Sequence, residues 1–95
     1  MTHVVNFNDW ESAGTLEKAM RPGDAVADEI VAVLRDELPT AWDTRELFQF
    51  GEPYSHVEDP ETGKFRPTFS TFARDGEYWR YCGHCFLGET QHREG

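Results

Sequence analysis

The chain has 95 residues, of which 38% are hydrophobic and 14% aromatic, and its formal net charge is −9 at pH 7. A chain of this length has apolar surface for one core, so we expect a single domain over residues 1–95, and two cysteines are too few for a disulfide framework. No apolar run approaches the roughly 20 residues of a membrane-spanning helix. The N-terminal residues also lack the basic and apolar segments of a secretion signal, which predicts a cytoplasmic protein.

The negative charge is concentrated in the first two thirds of the chain. Residues 1–63 contain 14 Asp and Glu against four Lys and Arg, whereas residues 64–95 contain four against five. A surface of this sign repels phosphate backbones and anionic lipid and attracts basic groups. We therefore expect a protein partner with a basic surface and no direct binding to nucleic acid or membrane. The alternative is that the acidity only keeps a small protein in solution.

The first predicted element is a short helix from Asn8 to Met20. Asn8 and Glu11 have the spacing of a capping box, and apolar residues follow at helical intervals. The Pro22-Gly23 pair then ends this helix, because proline disfavours helical geometry in the preceding residue and glycine permits a reversal.

The main helix is predicted over residues 24–38, with Asp24 as its N-cap and Pro39 as its stop. One face is apolar and is expected to pack inward; it consists of Val26, Ala27, Ile30, Val31, Val33, Leu34 and Leu38. The opposite face carries the four carboxylates that we predict to bind the partner: Asp24, Asp28, Glu29 and Asp36. The alternative interpretation is an ordinary solvated helix face.

Residues 51–87 are predicted to be rich in β-strands. Residues 44–50 fit either a short helix or a strand, and the pattern does not distinguish the two. Strands are expected at 54–57 and 64–73, the second of them at a sheet edge or bulged, because Pro67 cannot donate a ladder hydrogen bond.

The Asp75-Gly76 pair predicts a hairpin with a two-residue turn, since both residue types tolerate the positive φ angles of such turns. In that register Phe72 pairs with Trp79, and Ser70 pairs with Tyr81. Both faces of the hairpin then carry aromatic side chains.

These elements predict an α+β fold in which N-terminal helices, within residues 1–50, pack on a small antiparallel β-sheet formed by the C-terminal half. Residues 88–95 are expected to form a short flexible tail.

The segment Cys82-Gly83-His84-Cys85 matches the active-site tetrapeptide of protein disulfide isomerases, in which a thiolate at a helix N-terminus is activated. The match covers only these four residues. In the thioredoxin-like fold of those enzymes the motif is followed by a helix and further strands, whereas ten residues follow Cys85 here. Dithiol redox activity is therefore a minor alternative.

The same two cysteines have the spacing of one half of a zinc site, which needs four ligands in tetrahedral reach. The most economical assembly adds two histidines from elsewhere in the chain, and the set is Cys82, Cys85, His56 and His92. Zinc is accordingly the one cofactor that the sequence suggests. The alternative is that both thiols are buried and pack as small apolar side chains.

The hairpin region interleaves aromatic residues with arginines, as platforms for single-stranded nucleic acid do. The residues concerned are Phe65, Arg66, Phe69, Phe72, Arg74, Tyr78, Trp79 and Arg80. The net acidity of the chain opposes that function, so we expect most of these aromatic side chains to form the core.

No phosphate-cradling glycine loop, metalloprotease helix or nucleophile elbow is present. The leading hypothesis is therefore a small, acidic, non-enzymatic interaction module, a regulator or inhibitor of the type that a virus or mobile element directs at host machinery. A zinc-stabilised domain and a dithiol oxidoreductase are the alternatives.

Overall fold

A computed structural model describes residues 20–51 and 56–93. The predicted helix from Asn8 lies outside the described residues, apart from Met20 at its end. The elements in chain order are β1 (Ala25–Ala27), α1 (Asp28–Glu37), β2 (Thr40–Asp43), β3 (Leu47–Phe50), β4 (His56–Glu58), β5 (Phe65–Pro67), β6 (Phe69–Asp75) and β7 (Tyr78–Cys85).

Five of the strands form one antiparallel sheet in the order β1–β7–β6–β3–β2, and β4 and β5 form a separate two-stranded hairpin. This confirms the α+β class with an antiparallel sheet. The described part of the chain is nevertheless mostly sheet, with α1 as its one helix. No helix within the described residues is long and apolar enough to cross a membrane.

The predicted start of the main helix at Asp24 is wrong by several residues. Ala25–Ala27 is extended and pairs with β7, and the N-cap of α1 is Ala27. This pairing lets Val26 lie opposite Trp79, where both side chains are fully buried. The carboxylate of Asp24 instead accepts the Arg21 backbone N–H at 3.0 Å, closing the turn before β1.

The expectation that residues 1–50 are helical is also wrong for their last part, which forms the β2–β3 hairpin. Thr44 Oγ1 accepts the backbone N–H groups of Glu46 and Leu47 in the connecting turn. All four residues of β3 are buried, because the strand lies between β6 and β2 and both of its faces are covered. One extra residue of β2, Ala41, interrupts its register with β3.

The β6–β7 hairpin is confirmed, but its turn is displaced by one residue. Asp75 pairs with Tyr78, which leaves Gly76 and Glu77 in the turn. Gly76 has φ of 63°, and no non-glycine residue within 20–51 and 56–93, Glu77 included, has positive φ. A turn in which only the first of the two residues is left-handed requires this combination. Phe72 therefore pairs with Tyr81, and Trp79 lies opposite Arg74.

The predicted strand 64–73 is two strands that separate at Thr68. Pro67 ends β5, which pairs only with β4, and β6 then joins the large sheet. The position of Pro67 in a two-stranded hairpin agrees with the expected edge location.

The main core lies between α1 and one face of the five-stranded sheet. Its buried members are Met20, Val26, Val31, Leu34, Phe48, Phe50, Phe72, Trp79 and Tyr81. Val33, predicted to pack inward, is 36% exposed. Since α1 begins only at Asp28, its packed arc is narrower than the sequence pattern indicates and is centred on Val31 and Leu34.

The chain after β7 crosses the other face of the sheet. The buried Gln49 side chain donates to the Phe86 carbonyl at 2.9 Å and accepts the Gly88 N–H at 2.7 Å. The Arg93 N–H donates to the His84 carbonyl. Residues 88–93, expected to belong to a flexible tail, are therefore tied to the sheet by backbone and side-chain hydrogen bonds.

Candidate functional site

The four predicted partner-binding carboxylates do not form one set. Asp24 is engaged in the turn before β1, and Asp28 is engaged with the sheet. One carboxylate oxygen of Asp28 accepts the indole N–H of Trp79 at 2.7 Å and a guanidinium N–H of Arg74 at 2.9 Å. The Trp79 hydrogen bond first, and then that from Arg74, hold the pKa of Asp28 below its usual range. Asp28 therefore has a structural role at the start of α1.

Glu29 and Asp36 remain on the outward side of α1, and Glu37 joins them. At about 100° per residue, these three side chains and Val33 fall within roughly a quarter of the helix circumference. None of the three carboxylates forms an ion pair or side-chain hydrogen bond within residues 20–51 and 56–93. We call Glu29, Val33, Asp36 and Glu37 the acidic face.

The only base on α1, Arg35, points away from the acidic face. Its guanidinium carbon lies 5.1 Å from the ring centre of Trp79 and 5.4 Å from that of Phe48. Its Nε donates to Asp43 at 2.9 Å. The sequence pattern missed two features, the exposure of Glu37 and the inward direction of Arg35. Glu37 is exposed because the packed arc of α1 is narrower than the pattern indicates.

Arg74 lies over the same indole ring as Arg35, with its guanidinium carbon 4.6 Å from the ring centre. We call Arg35, Trp79 and Arg74 the Trp79 stack. Each of its arginines pairs with a carboxylate, Arg35 with Asp43 and Arg74 with Asp28. The stack joins α1 to the sheet through cation–π contacts, two ion pairs and one indole hydrogen bond.

A second arrangement of the same kind surrounds Phe86, which is fully buried. The guanidinium carbons of Arg66 and Arg93 lie 4.3 and 4.7 Å from its ring centre, and these three residues form the Phe86 stack. Arg66 pairs with Asp59 at 3.1 Å, and Arg93 pairs with Glu89 at 2.9 Å. The stack ties the β4–β5 hairpin to the chain after β7.

These two stacks account for most of the arginine–aromatic pattern in the hairpin region. Arg66 and Arg74 lie against buried rings and pair with carboxylates, and Phe72 and Trp79 belong to the core. Phe65 and Tyr78 are the exposed aromatic residues of that pattern, at 68% and 41%.

The two cysteines lie at an irregularity of β7. Thr71 pairs with Gly83 while Phe72 pairs with Tyr81, so Cys82 is an extra residue, a β-bulge, with Gly83 at φ of 79°. Residues three apart in a regular strand point to opposite faces. The bulge reverses that alternation, and Cys82 and Cys85 belong to one small buried cluster with Ala73.

Both thiols are reduced and buried, and their environment opposes ionisation. Burial raises the pKa of the Cys82 thiol, and burial raises that of Cys85 to about 11. A thiol-exchange nucleophile has the opposite property, a depressed thiol pKa. The raised pKa values are the expected behaviour of cysteines that pack as small apolar side chains.

The two histidines of the predicted zinc site lie in different parts of the fold. His56 is exposed on β4. The His92 ring lies so close to Gly83 that a Cβ at that glycine would clash with Nδ1. Within the described residues, no group of three or more His, Cys, Asp or Glu side chains is placed to hold a metal ion. Zinc binding stays a prediction from sequence.

Comparison of the chain with known protein families, with curated protein sequences and with solved structures finds no match.

Proposed function

We propose that this protein is a non-enzymatic interaction module of the cytoplasm, which docks through the acidic face of α1 on a basic surface of another macromolecule and regulates or inhibits it. The observation that carries this proposal is that three exposed carboxylates have no counter-charge among the residues that the structure describes. Glu29, Asp36 and Glu37 have no ion-pair partner in the described chain, and Arg35, the one base of the helix, is turned onto Trp79.

The unpaired carboxylates of this surface add little to the stability of the folded chain and favour association with a basic partner. Carboxylates that pair within a protein lose much of their field to the partner group, whereas unpaired carboxylates project it into solvent and accelerate encounter with a positive surface. Val33 adds an apolar side chain, 36% exposed, among the carboxylates. A partner surface with arginine or lysine around a small apolar recess fits this arrangement.

The test is affinity capture with the full chain from cells that express it naturally, followed by titration calorimetry with the captured partner after purification. The variant Glu29→Lys with Asp36→Lys reverses the charge of the acidic face and leaves the Asp28 contacts intact. We expect this variant to bind the partner at least about tenfold more weakly, and the wild-type affinity to fall as salt is raised.

The matched control is Glu58→Lys with Glu61→Lys, which makes the same change in net charge on the β4–β5 side, where both carboxylates are exposed. It should retain wild-type affinity. Equal weakening by the two double variants would show that only overall charge matters, and unchanged binding by the α1 variant would refute docking through the acidic face.

A further inference from the structure

A cleft of about 550 Å³ lies where the start of α1, the β2–β3 turn and the end of β6 meet. Its volume falls within the range of pockets that hold small molecules, roughly 300–1,000 Å³. The cleft is lined by the Trp79 stack, by Asp28 and Asp43, and by the turn residues 44–46. It is separate from the acidic face, which looks outward from the other side of α1.

Arginine is concentrated around this cleft. Seven arginines lie in the described chain, and three of them line the cleft: Arg35, Arg45 and Arg74. Three carboxylates line the cleft as well, so its lining is formally neutral in a chain of net charge −9. Guanidinium groups match the planar geometry of carboxylate and phosphate oxygens.

The three arginines differ in how many of their donors are used. Arg74 donates through all three nitrogens, to the Arg45 carbonyl, the Gly76 carbonyl and Asp28. Among the described residues, Arg35 donates through Nε alone, to Asp43. The Arg45 side chain makes no hydrogen bond or ion pair within the described residues. The cleft therefore offers the two Nη groups of Arg35 and the whole guanidinium of Arg45 as unused donors.

We propose that this cleft binds a small molecule with a single phosphate or carboxylate group, held by Arg45 and by the Nη groups of Arg35. Arg35 is already positioned by its contact with Trp79 and its ion pair with Asp43, so little conformational entropy is lost when its remaining donors engage an oxyanion.

The carboxylates of the cleft restrict the ligand further. Asp28, Asp43 and Glu46 balance the three arginines in formal charge and disfavour molecules with several negative groups. They accept hydrogen bonds, so the ligand that fits carries hydroxyl or amino donors beside its one anionic group.

The test is NMR titration of the ¹⁵N-labelled full chain with sodium phosphate and, separately, sodium acetate, each against sodium chloride at matched ionic strength. We expect saturable shifts of the Trp79 indole N–H, of the Arg35 Nε–H and of the backbone amides of residues 44–46. The Arg45→Gln variant should bind the effective anion about tenfold more weakly, as loss of one charge-assisted hydrogen bond predicts.

Arg80→Gln is the matched control, because Arg80 is an exposed arginine on β7 outside the cleft. It should leave the affinity unchanged. Saturation by only one of the two anions identifies which oxyanion the cleft takes. Shifts that chloride reproduces, shifts that never saturate, or equal weakening by the Arg80 variant would each overturn the proposal, and none of them bears on docking through the acidic face.

Discussion

The Trp79 stack and the Phe86 stack are built from the same parts and do different things. In each, two arginines lie over a fully buried aromatic ring, and each arginine pairs with a carboxylate. Trp79 also donates its indole N–H to Asp28, which anchors α1 to the large sheet at β7. Phe86 has no polar atom in its ring, and its stack joins two peripheral segments. The same kind of contact thus supports the main core at Trp79 and holds the β4–β5 hairpin against the chain after β7 at Phe86.

The largest effect is expected from Trp79→Ala, which should lower the free energy of unfolding by about 3–5 kcal/mol, since removal of a large buried ring leaves a cavity. This is comparable to the total stability of many small domains. Urea denaturation followed by circular dichroism measures it. Tyr78→Ala, at the exposed neighbouring position, is the control and should change the midpoint little. A small loss in the Trp79 variant would mean that α1 is held without the stack.

Phe86→Ala should lower the free energy of unfolding by about 3 kcal/mol, the lower end of the range for a buried aromatic ring, because its stack supports segments outside the main sheet. Hydrogen exchange locates the loss. We expect faster exchange of amides in β4, β5 and residues 86–93, with the β6–β7 ladder still exchanging near the global limit. Leu87→Ala, 46% exposed next to it, is the control. Equal loss of protection in β6 and β7 would show that both stacks belong to one cooperative unit.

Gly83→Ala tests the connection between the stacks, since β7 carries Trp79 and leads to Phe86 through the bulge. Gly83 has φ of 79°, a conformation that costs other residues about 1–2 kcal/mol. The new methyl group would also displace His92. We expect a loss of at least this size, measured by thermal unfolding, with the chemical shifts of residues 86–93 changed more than those near Trp79. Changes centred on Trp79 instead would contradict this placement.

The pH dependence of stability tests one carboxylate paired with each stack, Asp28 and Asp59. Both have folded-state pKa values below the usual range, Asp28 first through Trp79 and Asp59 first through the Glu61 N–H. Each therefore contributes stability that is complete above an unfolded pKa of about 3.9 and is lost as pH falls through the lower folded value. Urea midpoints from pH 7 to about pH 2.5 should fall less steeply in Asp28→Asn and Asp59→Asn than in wild type. An unchanged slope would show that the carboxylate concerned is not stabilised by folding.

The last prediction concerns the reactivity of the thiols between the stacks and involves no change in the stability of the fold. With a pKa of about 11, Cys85 should carry roughly a hundredfold less thiolate at pH 8 than a thiol of pKa 9.0, so the folded protein should react slowly with Ellman's reagent and fast in urea. Fast reaction of the folded chain would favour the dithiol alternative.

Metal analysis of protein purified without added zinc tests the zinc alternative. About one zinc per chain would support it, and no metal would oppose it.

Local patterns predicted the elements whose determinants lie close together in sequence. Val31 and Leu34 have helical spacing, and the Asp75-Gly76 pair marks the β6–β7 hairpin. β1 escaped prediction because Ala25–Ala27 suits a helix by propensity, and its strand conformation depends on pairing with β7, more than fifty residues away.

The positions and partners of the candidate site residues depended even more on contacts between residues distant in sequence. Asp28 has the helical position of an outward carboxylate, and only the approach of Arg74 and Trp79 engages it. The spacing of Cys82 and Cys85 predicts opposite faces in a regular strand, and the bulge that reverses this is fixed by pairing with β6. Glu29 and Asp36 were predictable because exposure on an amphipathic helix follows from periodicity alone.

The edges of the large sheet have a consequence for colloidal behaviour. β1 is three residues long, and β2 is four residues long with Ala41 interrupting its ladder. Short and irregular edges are poor templates for the addition of another strand, and like charges on neighbouring molecules oppose close approach. We therefore expect concentrated solutions to remain free of fibrils at neutral pH, and fibril growth to begin near the isoelectric point of about 4.7, where the net charge falls to zero.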